Sequence, residues 1–160
     1  MKKVIAAVLV TCGLWVSAGV AVMPEPTREE VLLDAAWEYV CDVNRTFNCD
    51  GVAKPTLVLH DGVNQAFGAY GVFFPSESII FALSTPPNGD DQKQMQTVVH
   101  ELTHYLEDQM GWQETVRDSC QWEEVAFTVG DEYARYIGRE DLVRGPTWWR
   151  PYRQCQNYGE

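Results

Sequence analysis

The segment from Met95 to Met110 constrains the fold more than any other part of this chain. Its apolar residues recur at steps of three and four, which places them on one face of an α-helix. They are Met95, Val98, Val99, Leu102, Leu106 and Met110. Residues 88–91 supply an N-terminal cap with acidic side chains, and Gly111 supplies a stop. The sequence therefore predicts an amphipathic helix that packs one face into a core.

Two histidines lie at the margin of this apolar stripe. His100 and His104 are four residues apart, slightly more than one helical turn, so their imidazoles project in the same direction. Such a pair can bind one metal ion, and zinc accepts neutral imidazole nitrogen. Glu101 follows the first histidine and could take a proton from a water at that metal. The alternative is two surface histidines, but the chain has only three and two fall here.

A second amphipathic helix is predicted between Cys120 and Gly138. Its apolar stripe is Trp122, Val125, Ala126, Val129, Tyr133 and Ile137. This helix carries two adjacent carboxylates, Glu123 and Glu124. Because catalytic zinc usually takes three protein ligands, a carboxylate from a second helix would complete the set begun by the two histidines.

The two helices together resemble the gluzincin branch of the zincin metallopeptidases. The motif His100-Glu101-Leu102-Thr103-His104 is followed, after a short loop, by a helix with Glu123-Glu124-Val125-Ala126. In that branch the third zinc ligand is a glutamate on the next helix, often three positions before alanine or serine. The resemblance covers about residues 65–137. It implies one zinc ion per chain, bound by His100, His104 and Glu123, with Glu124 as the alternative third ligand.

The resemblance also implies a fold and an activity. The fold would be α+β and of minimal zincin type, with a small antiparallel or mixed sheet packed against three helices. These are an N-terminal helix, the histidine helix and a C-terminal helix bearing the glutamate ligand. The activity would be zinc-dependent hydrolysis of peptide bonds by metal-activated water, with Glu101 as the general base.

By the same analogy, an edge strand before the motif helix would pair with the backbone of a peptide or protein substrate. Residues 67–74 or 79–83 would serve. Tyr133 or Tyr70 could stabilise the oxyanion, although both are more typical of packing aromatics.

One position departs from the gluzincin pattern. The aspartate that orients a ligand histidine in that family would fall at Phe127. Asp131, two turns beyond Glu123, is either a substitute or a solvated helix acid. The metzincin pattern fails outright, because Glu107 and Met110 occupy the places of its glycine and its third histidine.

The region before the motif predicts a first helix and three strands. Thr27 and Glu30 form a capping box for a helix that runs to about Val43. Residues 56–60, 65–74 and 79–83 are short apolar or aromatic runs bounded by turn residues, which predicts strands. His60 ends the first of these, and a satisfied strand-end histidine is favoured over a further metal ligand.

The N-terminus has the pattern of a targeting segment. Lys2 and Lys3 precede an apolar run over residues 4–16 and small residues at 17–21. We expect residues 1–21 to be a signal peptide and residues 22–160 a single domain that is secreted or periplasmic. An uncleaved membrane anchor is the alternative. After signal cleavage no membrane association is expected.

Besides Cys12 in the N-terminal segment, the chain has four cysteines, and this even number agrees with export. Three disulfide pairings are possible. We favour Cys41–Cys49, which would close the turn after the first helix, and Cys120–Cys155, which would tie the last helix to the tail. A cysteine zinc site would normally show a Cys-x-x-Cys pair, and none is present.

The net negative charge of the chain limits the kinds of partner that it can be expected to bind. A net charge of −11 argues against nonspecific nucleic-acid binding. The basic, aromatic tail at residues 144–153 could line a substrate site, or pack over the core. Substrate and oligomeric state stay open.

The competing hypothesis is a secreted, non-catalytic zinc-binding or interaction module with a zincin-like fold. Glu101 argues against it, because a structural zinc site would normally close all four coordination positions with protein.

Overall fold

The computed structural model describes residues 24–112 and 119–145 of the 160-residue chain. Four helices are present in these ranges: α1 (Arg28–Trp37), α2 (Val63–Phe67), α3 (Asp91–Gln109) and α4 (Ser119–Tyr136). A π-helical turn (Glu38–Asn44) extends α1, and 3-10 turns cover Pro87–Gly89 and Glu140–Leu142. The strands are β1 (Thr56–Leu59), β2 (Gly71–Phe74) and β3 (Ile79–Ala82). No helix in the described ranges combines the length and apolar character needed to cross a bilayer.

The three strands form a small mixed sheet in the order β1-β3-β2. Strand β3 pairs parallel to β1 and antiparallel to β2. The prediction of an α+β chain with a small antiparallel or mixed sheet is therefore confirmed at that level. Among the described strands, β1 and β2 each have a neighbour on one side only, and β2 contacts α3.

The predicted strand over residues 65–74 is wrong in its first half. Residues Val63–Phe67 form helix α2 instead, and Gly68 ends it in a left-handed conformation with φ of 67°. Because glycine has no Cβ, it adopts this conformation without the steric cost that other residues meet. Only Gly71–Phe74 then remains extended.

Helix α1 begins as predicted. The Thr27 hydroxyl accepts the Glu30 backbone N–H, and the Glu30 carboxylate accepts the Thr27 N–H at 2.7 Å. Each residue thereby satisfies a backbone donor that the helix start leaves unpaired. The π-helical extension ends at Asn44, one residue beyond the predicted end.

Helix α3 is the centre of the core. Its N-cap is Asp90, whose carboxylate accepts the backbone N–H groups of Gln92 and Lys93. The apolar stripe is buried as the spacing predicts, with Val98, Val99, Leu102 and Leu106 all at 0% exposure. Each such side chain contributes about 1.5–3 kcal/mol by leaving water. Helices α1 and α4 and the sheet all contact α3, so its polar margin is held in a fixed place.

Candidate metal centre

The side chains of His100, His104 and Glu123 lie together where α3 and α4 face each other. The two Nε2 atoms are 3.2 Å apart. The Glu123 Oε2 atom lies 3.4 Å from Nε2 of His100 and 3.8 Å from Nε2 of His104. Within residues 24–112 and 119–145, these are the residues whose ligand atoms form a group able to hold a metal ion.

The spacing of these three atoms fits a tetrahedral metal. Four ligand atoms arranged around zinc at bonds of about 2.0–2.1 Å lie about 3.3–3.4 Å from one another. The observed separations of 3.2, 3.4 and 3.8 Å are close to that value. Two imidazoles and one carboxylate also form a donor set typical of catalytic zinc.

Glu123, and not Glu124, belongs to this group. The Glu123 side chain is 25% exposed and points at the histidines, whereas Glu124 is exposed on the outside of α4. Adjacent helix positions differ by about 100°, so only one of the two can face α3.

The charges of the three groups depend on one another. Burial acts to raise the pKa of Glu123, but hydrogen bonds and charge from His100 and His104 outweigh it, so this pKa lies well below its usual range. Burial acts to lower the pKa of His104, but hydrogen bonds to Glu107 and Glu123 raise it to about 10. The carboxylates around His104 thus favour a positive charge at this point, which is either a proton on the ring or a bound cation.

Glu101 lies behind the histidines and under strand β2. Its side chain is buried, and the nearby Phe73 backbone N–H acts to lower the pKa of its carboxyl group. Burial is the main cause that raises the pKa of Glu101, and the neighbouring histidines act against it. A carboxylate with a raised pKa is better matched to accepting a proton near neutral pH.

Gly71 allows this close approach of β2 to α3. A Cβ on Gly71 would lie 2.8 Å from both Glu101 Cγ and Thr97 Cγ2, a distance that real Cβ atoms essentially never show. The absence of a side chain there lets the strand pass directly over the Glu101 carboxylate.

The outer nitrogens of the two histidines have different neighbours. His104 Nδ1 lies 3.1 Å from Oε2 of Glu107, a carboxylate at 1% exposure. His100 Nδ1 is buried and has no hydrogen-bond partner among the described residues. The ring of Phe127 lies 4.5 Å from the His100 ring, at the position where the gluzincin pattern has its aspartate.

Three other residues weighed from the sequence lie elsewhere or act differently. Asp131 is buried, not solvated, and accepts the backbone N–H groups of residues 144 and 145 at 2.9 and 2.8 Å, so it supports that segment and not a histidine. Tyr133 packs edge-on against Tyr39 in the core. His60 accepts the Gly62 N–H at its own strand end.

A cavity of about 1030 Å³ opens beside the centre. Its wall includes His100, Glu101, His104 and Glu123, together with strand β2 and the segment 141–144. Tyr70 lines this cavity, with the Lys93 ammonium 5.2 Å from the centre of its ring. The three candidate ligands are therefore open to a space large enough for several residues of a peptide.

The predicted Cys41–Cys49 disulfide is present and closes the turn after α1. Cys120 is also disulfide-bonded, and its predicted partner Cys155 lies outside the described residues. The expected signal peptide (residues 1–21) and most of the basic tail lie outside them as well.

The sequence analysis did not identify the contact partners of Glu107, Gly71 and Phe73. Glu107 carried a usable signal, because a carboxylate three positions after a histidine shares its helix face. Neither the contact of Gly71 nor that of Phe73 has a local signature, since both depend on how β2 crosses α3. No family model, curated protein or solved structure matches this chain. The chemistry of the centre is thus the basis for assigning a function.

Proposed function

We propose that the protein is a zinc-dependent peptidase, with His100, His104 and Glu123 as the ligands of one zinc ion and Glu101 as the general base. The observation that carries the proposal is that three candidate ligand atoms, spaced as around a tetrahedral metal ion, lie beside a buried carboxylate in a large cavity. The gluzincin resemblance is consistent with it.

The metal would supply Lewis acidity, which polarises a peptide carbonyl and lowers the pKa of water. Glu101 would take the proton from the attacking water and pass it to the leaving amine. Burial raises the affinity of the Glu101 carboxylate for a proton. Tyr70 is the better placed of the two tyrosines considered for the oxyanion, because it lines the cavity while Tyr133 packs against Tyr39.

Strand β2 supports a peptide as substrate. It is an edge of the described sheet, its residues Gly71–Phe73 line the cavity, and it runs over Glu101. An extended peptide that added to this edge would place its backbone beside the ligand group. Both disulfides suit an oxidising compartment, so we expect the protein to act after export.

A non-catalytic zinc-binding or interaction module is the second candidate. The phenylalanine at position 127 favours it, because it stands where the gluzincin pattern has an aspartate, and Nδ1 of His100 has no partner among the described residues. The two candidates differ in what they require of Glu101.

The substitution Glu101→Gln separates these functions. The enzyme should retain its zinc and lose about 10²–10⁴-fold in cleavage of a denatured protein substrate, because the proton acceptor is gone. Glu124→Gln, on the exposed side of α4, is the matched control and should cleave normally. Equal cleavage by the Glu101→Gln variant and the unmutated protein would rule out the assigned role, and no cleavage by either would favour the interaction module.

A further inference from the structure

Glu107 is a buried carboxylate that the proposed peptidase step does not use. It lies on α3 one turn after His104, and its side chain is 1% exposed. Its Oε2 atom contacts His104 Nδ1 at 3.1 Å. Its other oxygen, Oε1, is buried without a hydrogen-bond partner among the described residues.

Folding stability does not account for this carboxylate. A buried charge is costly unless it is paired and all its lone pairs are satisfied. Here Oε2 of Glu107 contacts His104 Nδ1, and Oε1 has no partner among the described residues. An apolar side chain such as leucine would avoid that cost. The contact with His104 is therefore the feature that requires an explanation.

Glu107 is not placed to be a metal ligand itself, because it lies on the Nδ1 side of the His104 ring. It touches Nδ1, whereas Nε2 is the atom that faces His100 and Glu123. A neutral imidazole carries one proton, so an acceptor at Nδ1 holds the proton there and leaves the lone pair at Nε2.

We propose that Glu107 is the positioning residue of this centre, which accepts the Nδ1–H of His104 and thereby directs the Nε2 lone pair of His104 at the metal. The contact fixes both the tautomer and the rotation of the ring, and the added negative charge raises the basicity of the ligand nitrogen. This inference rests on the metal site of the proposed function but not on peptide hydrolysis.

The test is zinc affinity, measured by competition with a chelator, in Glu107→Leu and Glu107→Gln variants of the disulfide-intact protein. The leucine variant should bind zinc about 10- to 100-fold more weakly, the range seen when such hydrogen-bond partners are lost. The glutamine variant keeps a neutral acceptor and should lose less. Asp131→Asn, which alters a buried acid that contacts no histidine, is the matched control and should retain full affinity.

Thermal unfolding of the metal-free proteins distinguishes positioning from general stabilisation. The leucine variant should unfold at the same temperature as the unmutated protein or higher, because it removes an incompletely paired buried charge. Unchanged zinc affinity in a folded leucine variant would overturn the proposal.

The imidazole ¹⁵N shifts of the zinc-loaded unmutated protein give a second, variant-independent readout. They should show His104 bound through Nε2 with a proton on Nδ1, and binding through Nδ1 would overturn the proposal. A protein whose zinc affinity depends on Glu107, but which cleaves nothing, would remove the proposed peptidase and leave this role intact. An unmutated protein that binds no zinc would overturn both.

Discussion

His100 and His104 are equivalent in the sequence motif, but their surroundings in the fold are not. Both present Nε2 to the same point, next to Glu123. A buried carboxylate contacts Nδ1 of His104, whereas the ring of Phe127 packs against His100, whose Nδ1 has no partner among the described residues. Helical spacing thus determines where two ligand atoms meet, and the residues behind each ring determine how firmly each is held.

The largest effect should come from removing the histidines one at a time. If a zinc-binding free energy of about 10–16 kcal/mol is shared equally among four ligands, His104→Ala and His100→Ala should each weaken zinc binding by roughly 100- to 1,000-fold. The loss should be greater for His104, because the buried Glu107 carboxylate also holds its ring from the Nδ1 side. Chelator competition measures both values. His60→Ala is the matched control and should bind zinc normally, while a greater loss at His100 would reverse the comparison.

Gly71→Ala should displace Glu101, which follows His100 in the chain, and should leave zinc binding intact. The new Cβ would collide with Glu101 Cγ and Thr97 Cγ2, so the Glu101 side chain must shift. A displacement of this size should lower the cleavage rate by roughly 100-fold with zinc affinity nearly unchanged. Gly130→Ala is the control, because its Cβ would meet its nearest neighbour at 3.7 Å. Full activity in the Gly71→Ala variant would show that β2 does not position Glu101.

Phe127→Asp should make the two histidines more alike. A carboxylate at this position, as in the gluzincin pattern, would give His100 Nδ1 an acceptor and raise zinc affinity by about tenfold. Replacing a buried ring should cost about 3–5 kcal/mol in unfolding free energy of the metal-free protein. Zinc titration and chemical denaturation measure the two effects separately. Weaker zinc binding in a folded variant would mean that ring packing holds His100 better than a carboxylate does.

The sequence predicted those parts of the molecule that depend on local periodicity or on a motif. The apolar stripe of α3, its cap at Asp90 and the capping box of α1 all follow from short-range rules, and the structure agrees with them. The placement of Glu123 beside the histidines came from a pattern of residue types, and the geometry of α4 agrees with it.

The remaining features depend on contacts between distant segments. Residues 63–67 are too few for helical periodicity to be distinguished from a strand, so α2 was mistaken for extended chain. Gly71 approaches Glu101 only because β2 crosses α3. The Asp131 carboxylate accepts a hydrogen bond from a backbone N–H thirteen residues further along the chain. No spacing rule contains this information.

Zinc stoichiometry in Glu123→Ala and Glu124→Ala variants tests the central claim most directly. Purified with disulfides intact, the unmutated protein should hold about one zinc per chain by elemental analysis. Glu123→Ala should lose the metal or bind it far more weakly, whereas Glu124→Ala should keep it, because only Glu123 faces the histidines. Equal zinc content in the two variants, or no tightly bound metal in the unmutated protein, would contradict the three-ligand centre.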